Sequence, residues 1–303
     1  MRVVINGLPF FGNDLAKKLQ KKFPADSFTF YNTYYSRWDQ LKFLFTVPFA
    51  DLIISMNGIT TKSGSMNWCM FWNKKIVMQW QGTDVLHAIE RHQKNTLYTQ
   101  YVKKSIHFAD SDWLEEELRS IQINPIRLTF KCITPLPILE KYPSIKALTY
   151  LAEGRKEFYG FNHVVQLANE FPQISFTVCG MNKPNESTPS NIKFMGWVPR
   201  DSFVQMLSEH AIFLRLTEHD GYSVSVIEAL SSGAEVLMTL PDKNTRHCTT
   251  PKEIKEQFNN ALKALAERNL VPRFETAKRI NEFYNEEKIL QSYYNTLKKI
   301  VNT

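Results

Sequence analysis

The chain has 303 residues, 43% hydrophobic and 13% aromatic, which is enough apolar material for a sizeable core and enough length for two domains, and it excludes a disordered protein. Its formal charge of +7 is concentrated in the first half: residues 1–145 hold 18 Lys and Arg against 12 acids, residues 146–303 hold 19 against 18. Cys69, Cys132, Cys179 and Cys248 stand dozens of residues apart with no CxxC pair, which argues against a disulfide framework or zinc knuckle and for a reducing, cytoplasmic setting.

In chain order, Val3-Val4-Ile5 reads as a strand, a glycine loop from Asn6-Gly7 to Gly12-Asn13 follows, and Gly12 to Phe23 reads as a helix with an apolar stripe of Leu15, Leu19 and Phe23. Lys17, Lys18, Lys21 and Lys22 lie on that helix, and Tyr31, Tyr34, Tyr35 and Trp38 come next. This basic and aromatic stretch reads either as a solvated face beside ordinary core aromatics or as a docking face for an anionic membrane or acidic substrate. No nucleic-acid-binding motif accompanies the charge, so nucleic acid is not expected as a partner. No signal peptide is expected from the opening residues, and the most apolar stretch, Phe43 to Ile54, is interrupted by Pro48 and Asp51. No membrane span is expected, only contact at the inner face of a membrane if the basic first domain docks there.

Further strands are expected at Leu52-Ile53-Ile54, Ile76-Val77-Met78 and Ser105 to Phe108. The alternation with helical stretches implies an α/β fold with parallel sheets. A proline-bearing stretch, Ile133 to Pro143, breaks the pattern. It restarts with a strand at Ala147 to Leu151, a helix from Asn162 to Glu170 and a strand from Ile174 to Val178 that ends at Gly180. Two Rossmann-like domains are therefore expected, 1–143 and 144–303, with Ala277 to Val301 helical.

The most informative segment is LRLTEHDGYSVSVIEALSSGAEV, Leu214 to Val236. The apolar run Ala211 to Leu214 predicts a strand, Gly221 a turn, and Ser223 to Ser232 a helix closed by Gly233. A helix N-terminus behind a glycine turn presents backbone N–H groups and a positive dipole end to an anion such as phosphate. Glu228, about one turn inside, can accept hydrogen bonds from two neighbouring sugar hydroxyls, as an acidic residue does for ribose in dinucleotide-binding folds.

Other patterns are weaker. Asn6-Gly7 to Gly12 is neither a dinucleotide fingerprint nor a P-loop. Asp110-Ser111-Asp112 matches a short metal-binding pattern that arises often by chance. His87 and His92 are five apart, not the four that would align two metal ligands on a helix. His219 beside Asp220 is either solvated or a helper at the sugar site.

Asp220-x7-Glu228-Ala229-Leu230-Ser231-Ser232-Gly233 resembles the acidic-pair segment of family 4 retaining glycosyltransferases. More landmarks of that family occur in order: KIVMQWQGTDV at Lys75 to Val85, Phe108-Ala109-Asp110-Ser111, Ile133 to Ile138, Tyr150 to Arg155 with Tyr159-Gly160, and Asn191 to Val198. The chain departs from the family with Gln81 for a histidine, Tyr159 for a lysine, Asp220 for the first glutamate, and Tyr222-Ser223 for Phe-Gly.

The resemblance implies the GT-B architecture, two Rossmann-like domains facing across a cleft, with the final helix, about 285–303, crossing back onto the first domain. It implies transfer of a sugar, with retention and without a metal or other cofactor, from a UDP-, GDP- or ADP-linked donor to a glycan or lipid-linked acceptor. On it, Arg155 neutralises the diphosphate, with Lys156 standing in for the lysine missing at Tyr159, and Asp220 holds hydroxyls of the transferred sugar. Gly12, Gly221, Tyr222, Ser223, Glu228 and Gly196 are assigned to the donor, and Gln81 and Asp84 to the acceptor side near Gly12. A non-catalytic subunit supporting a partner transferase and a nucleotide-sugar epimerase share the same fold and stay open as alternatives.

Overall fold

A computed structural model describes all 303 residues. The first unit begins with β1 (Arg2–Gly7), α1 (Pro9–Lys22), β2 (Ser27–Tyr31), α2 (Arg37–Thr46), a 3-10 turn (Val47–Phe49), β3 (Leu52–Met56) and α3 (Gly64–Phe71). It continues with β4 (Lys75–Gln79), α4 (Thr83–Gln93), α5 (Thr99–Lys104), β5 (Ile106–Ala109), α6 (Asp112–Ser120) and β6 (Ile126–Arg127). The second unit comprises β7 (Lys146–Tyr150), α7 (Phe161–Glu170), β8 (Ser175–Cys179), β9 (Ile192–Phe194), α8 (Arg200–Glu209), β10 (Ile212–Arg215), α9 (Val224–Ser231), β11 (Glu235–Met238), β12 (Arg246–His247), α10 (Pro251–Glu267) and α11 (Phe274–Phe283). α12 (Glu286–Asn302) then belongs again to the first unit.

Each unit is built on one six-stranded parallel sheet, ordered β2-β1-β3-β4-β5-β6 in the first and β12-β11-β10-β7-β8-β9 in the second. Strands such as Leu52–Met56 are buried along their whole length, as a parallel strand covered on both faces must be. In both sheets the chain leaves the centre first to one side and then to the other. That creates a topological switch point between β1 and β3, and another between β7 and β10. In open α/β sheets ligands bind at the carboxyl ends of the strands at such a point.

Three expectations change. Proline at the first helical position starts α1 at Pro9, ahead of Gly12. Gly12 therefore lies inside the helix, and a Cβ there would meet the Phe30 ring at 2.4 Å, so this glycine permits close helix–sheet packing and is not part of a ligand loop.

The units divide at Cys132/Ile133, not at 143/144. The proline-bearing stretch packs on the second unit, because the Tyr142 ring is fully buried in that unit's core and its amide donates to the Leu270 carbonyl at 3.0 Å. The stretch expected to be helical, Ala277 to Val301, is interrupted at Tyr284-Asn285, where the Ile133 amide donates to the Tyr284 carbonyl at 3.1 Å, so that α12 starts close to the expected start of the final helix, about 285. Beyond the break, α12 buries Leu290, Tyr293, Leu297 and Ile300 in the first unit's core. It also engages two of the lysines on α1: Lys18 lies 3.6 Å from Glu286, and Lys22 donates to the Glu287 carbonyl at 2.5 Å. No helix is long and apolar enough to cross a membrane.

Candidate functional site

The switch point of the second sheet sets two loops side by side, Leu151 to Gly160 after β7 and Leu216 to Ser223 after β10. They are stitched together by the Phe158 carbonyl, which accepts from the Glu218 amide at 2.8 Å and from the Thr217 hydroxyl at 3.1 Å. Gly160 makes the approach possible. Its φ of +84° belongs to glycine, and a Cβ there would stand 2.1 Å from the Leu216 carbonyl oxygen. The second residue of the Tyr159-Gly160 pair thus has a geometric cause even though the first departs from the family's lysine.

Arg215, the last residue of β10, is buried and donates from Nε to Asp220 Oδ2 at 2.9 Å, with a second bond from Nη2 to the same oxygen. Its guanidinium also lies over the Tyr159 ring, 5.1 Å from the centroid. Tyr159 meets Phe158 edge to face at 5.4 Å, and the exposed Arg155 lies over Phe158 at 4.1 Å. A ladder of Arg155, Phe158, Tyr159, Arg215 and Asp220 therefore runs across both loops, and Arg155 has no carboxylate partner. Lys156 does not join it. Its ammonium pairs with Glu186 and lies over the Phe161 ring at 4.9 Å, so the stand-in expected for the missing lysine is held elsewhere and Arg215 is the cation that meets Asp220.

Behind the turn, α9 begins at Val224 with Ser223 at the N-cap. The Ser223 hydroxyl makes no capping bond and pairs instead with Ser225 Oγ at 2.8 Å. The first amides of a helix have no intrahelical acceptor, so this end remains suited to an anion. Gly221 and Tyr222 are buried in the turn. The Tyr222 side chain points into the core beside Tyr284, ring centroids 5.8 Å apart, and burial pushes its phenol well above the ordinary range. Only its backbone is in a position to serve the site.

Glu228 is 3% exposed and is gripped by the Arg200 guanidinium in a two-bond fork, with Nη1 to Oε2 at 2.9 Å. Arg200 is the first residue of α8 and follows the loop that carries Gly196. Gly196 adopts φ +64°, its amide donates to the Met181 carbonyl at 3.1 Å, and its carbonyl accepts from the Gly180 amide at 2.7 Å. With its amide already engaged, it shapes this loop and offers no donor to a ligand.

In the first unit, Asp84 is a scaffold residue. Its carboxylate accepts from the amides of Gly58 at 2.6 Å, Gln81 at 3.0 Å, Gly82 at 2.8 Å and Val85 at 3.1 Å. Desolvation pushes its pKa up while those four donors oppose the rise. Gln81, whose side chain donates to the Gln79 carbonyl at 3.3 Å, is the residue this arrangement holds in place. The acids of Asp110-Ser111-Asp112 go to separate partners, Asp110 to Lys131 at 2.6 Å and Asp112 to Arg127.

Arg215 and Arg200 were not evident from the sequence. An arginine closing an apolar strand has no spacing that betrays it, and Arg200 stands far along the chain from Glu228. The usable hint was the basic residue directly before the acidic turn.

No family model and no curated protein matches the chain. Solved structures do match its architecture. The pneumococcal O-GlcNAc transferase GtfA, in complex with UDP and GlcNAc, aligns with a TM-score of 0.58 at 11% identity over 83% of this chain and 57% of its own, so the chain spans little more than half of that protein. Sucrose-phosphate synthase from Thermosynechococcus elongatus aligns with a TM-score of 0.68 at 11% identity over 99% of both chains. UDP-GlcNAc 2-epimerase from Neisseria meningitidis, bound to UDP-GlcNAc, aligns with 0.56 at 14% identity over 99% of this chain and 100% of that one. What is shared at these identities is the fold, and the chain has the GT-B fold.

Proposed function

We propose that the chain is a retaining glycosyltransferase that moves a sugar from a nucleoside diphosphate to a hydroxyl of a glycan or lipid-linked acceptor. The observation that supports this reading most is the pairing of two arginines with a helix N-terminus at the switch point of the second sheet. A helix N-terminus contributes about 0.3–2 kcal/mol toward an anion, and each charge-assisted hydrogen bond roughly 1.5–3 kcal/mol. Enzymes lower barriers by about 8 kcal/mol or more. The dipole is therefore too weak alone, whereas Arg155 and Arg215 with α9 supply several such bonds to the departing diphosphate, and guanidinium forks suit phosphate oxygens.

In this reading Asp220 turns from Arg215 to hydroxyls of the transferred sugar, and Glu228 accepts from the ribose hydroxyls while Arg200 holds its orientation. The bond from the anomeric carbon to the phosphate oxygen breaks and the new glycosidic bond forms on the same face. The freed phosphate oxygen takes the acceptor proton, so Gln81 need not act as a base. Neutralisation by arginine makes the reaction independent of a metal.

The test is incubation with UDP-, GDP- and ADP-sugars, with and without candidate acceptors, followed by product analysis. Release of the nucleoside diphosphate, faster with acceptor and unaffected by EDTA, is expected. A new nucleotide sugar formed without acceptor would make the protein an epimerase, and no turnover with any donor would make it a non-catalytic subunit.

A further inference from the structure

We propose that the first unit carries a docking face for an anionic lipid bilayer, formed by α2, the Val47–Phe49 turn and the end of α3. Most of the large apolar side chains that the fold leaves exposed lie between residues 34 and 72. Within α2 only Phe43 is buried, while Trp38, Leu41 and Phe45 point outward at spacings of three and four residues. At about 100° per residue they form a stripe roughly 60° wide, with Lys42 on one flank and Arg37 on the other. Trp38 is 75% exposed and Phe45 77%.

The stripe continues onto its neighbours. The turn adds Phe49 and the end of α3 adds Phe71 and Trp72, and all three elements pack on one another. Trp68 Nε1 donates to the Leu44 carbonyl of α2 at 2.8 Å, and Phe71 stacks on Trp68 at 5.5 Å. A contiguous aromatic surface of this kind marks an interaction site, whereas single exposed apolar residues do not.

Charge identifies the occupant. The first 89 residues contain ten Lys and Arg, five Asp and no Glu. The acids are all engaged: Asp14 with Lys18, Asp26 with the N-terminal amine and Tyr294, Asp39 with the Asn32 amide, Asp51 with the Arg2 amide, and Asp84 as described. Arg37, Lys42 and Lys62 have no ion-pair partner. Tryptophan, phenylalanine and leucine on an outward stripe flanked by unpaired cations are what an interfacial helix presents to headgroups and upper acyl chains. The sequence alone pointed to the lysines of α1 together with Tyr31, Tyr34, Tyr35 and Trp38; of these Trp38 lies on the face described here, whereas α12, packed beside α1, engages Lys18 and Lys22. The inference does not depend on the sugar-transfer reading.

The test is co-sedimentation of the full chain with phosphatidylcholine vesicles, with and without about one-third phosphatidylglycerol. Binding is expected only to the anionic vesicles and should be lost in high salt. It should fall at least about tenfold in Arg37→Glu/Lys42→Glu, which removes two favourable surface charges, and comparably in Trp38→Ser/Phe45→Ser. All four side chains are exposed, so circular dichroism should show both variants folded; if the serine variant fails to fold, the charge variant decides alone. Absence of binding, or equal binding by wild type and a folded variant, would overturn the proposal. So would a concentration-dependent dimer abolished by Trp38→Ser/Phe45→Ser, since the face would then cover a second copy.

Discussion

Arg215 bears the strongest demands at the scale of single residues. In the free protein it neutralises Asp220 and rests on Tyr159, and in the proposed reaction it meets a diphosphate. Arg215→Lys keeps the charge but loses the planar fork, so affinity for a nucleoside diphosphate should fall about tenfold, the equivalent of one charge-assisted hydrogen bond. Titration calorimetry reads this directly, and unchanged affinity would remove Arg215 from the site. Asp220 and Glu228 were legible in the sequence because a turn and a helix fix their separation within one segment. Their cationic partners were not. Arg215 reaches Asp220 across the turn that directly follows β10, but it reaches Tyr159 because β10 lies beside β7 in the sheet, and Arg200 reaches Glu228 because α8 packs on α9, and the last two pairings leave no local pattern.

The loop after β7 has little freedom at the scale of elements. It must pass against the loop after β10, and Gly160 is where they touch. Gly160→Ala would combine a left-handed backbone with a Cβ far inside contact distance of the Leu216 carbonyl, a conflict costing more than about 1 kcal/mol. A lowered urea midpoint together with weakened nucleotide binding is expected, because Tyr159 and Arg155 ride on the same loop. Normal stability would show that the loops can part without loss. Periodicity located the central strands, α1, α7, α9 and the C-terminal helical stretch, but not α2 to α6, α8 or α10. It also missed the edge strand β2, the short strands β6 and β12, which have two residues each, and the start of α1, which proline moved ahead of the glycine.

Stability across the whole molecule should depend on pH through buried imidazoles. His107 accepts from Trp80 Nε1 at 3.2 Å and donates from Nε2 to the Val102 carbonyl at 2.9 Å. His210 donates to the Met206 carbonyl at 2.7 Å and accepts from the Thr177 hydroxyl at 3.0 Å. Burial lowers the pKa of both, and of half-buried His163. The unfolded chain then binds more protons than the folded one, so their contribution is complete above the unfolded value of about 6.5 and is lost as pH falls below it. Urea midpoints should be level at and above neutrality and decline below about pH 6.5; a midpoint that rises on acidification through this range would contradict the assignment. That both sheets are parallel followed from the alternation of strands and helices, but the place where the chain divides did not, because it depends on where Tyr142 is buried. The central claim is that the switch point between β7 and β10 holds a nucleoside diphosphate, and the most direct test is thermal denaturation with UDP, GDP and ADP. One of them at about a hundred times its Kd should stabilise the protein by about 2.7 kcal/mol, raising Tm in the wild type but far less in Arg215→Ala and Glu228→Gln. No shift with any diphosphate, or an equal shift in both variants, would contradict the account.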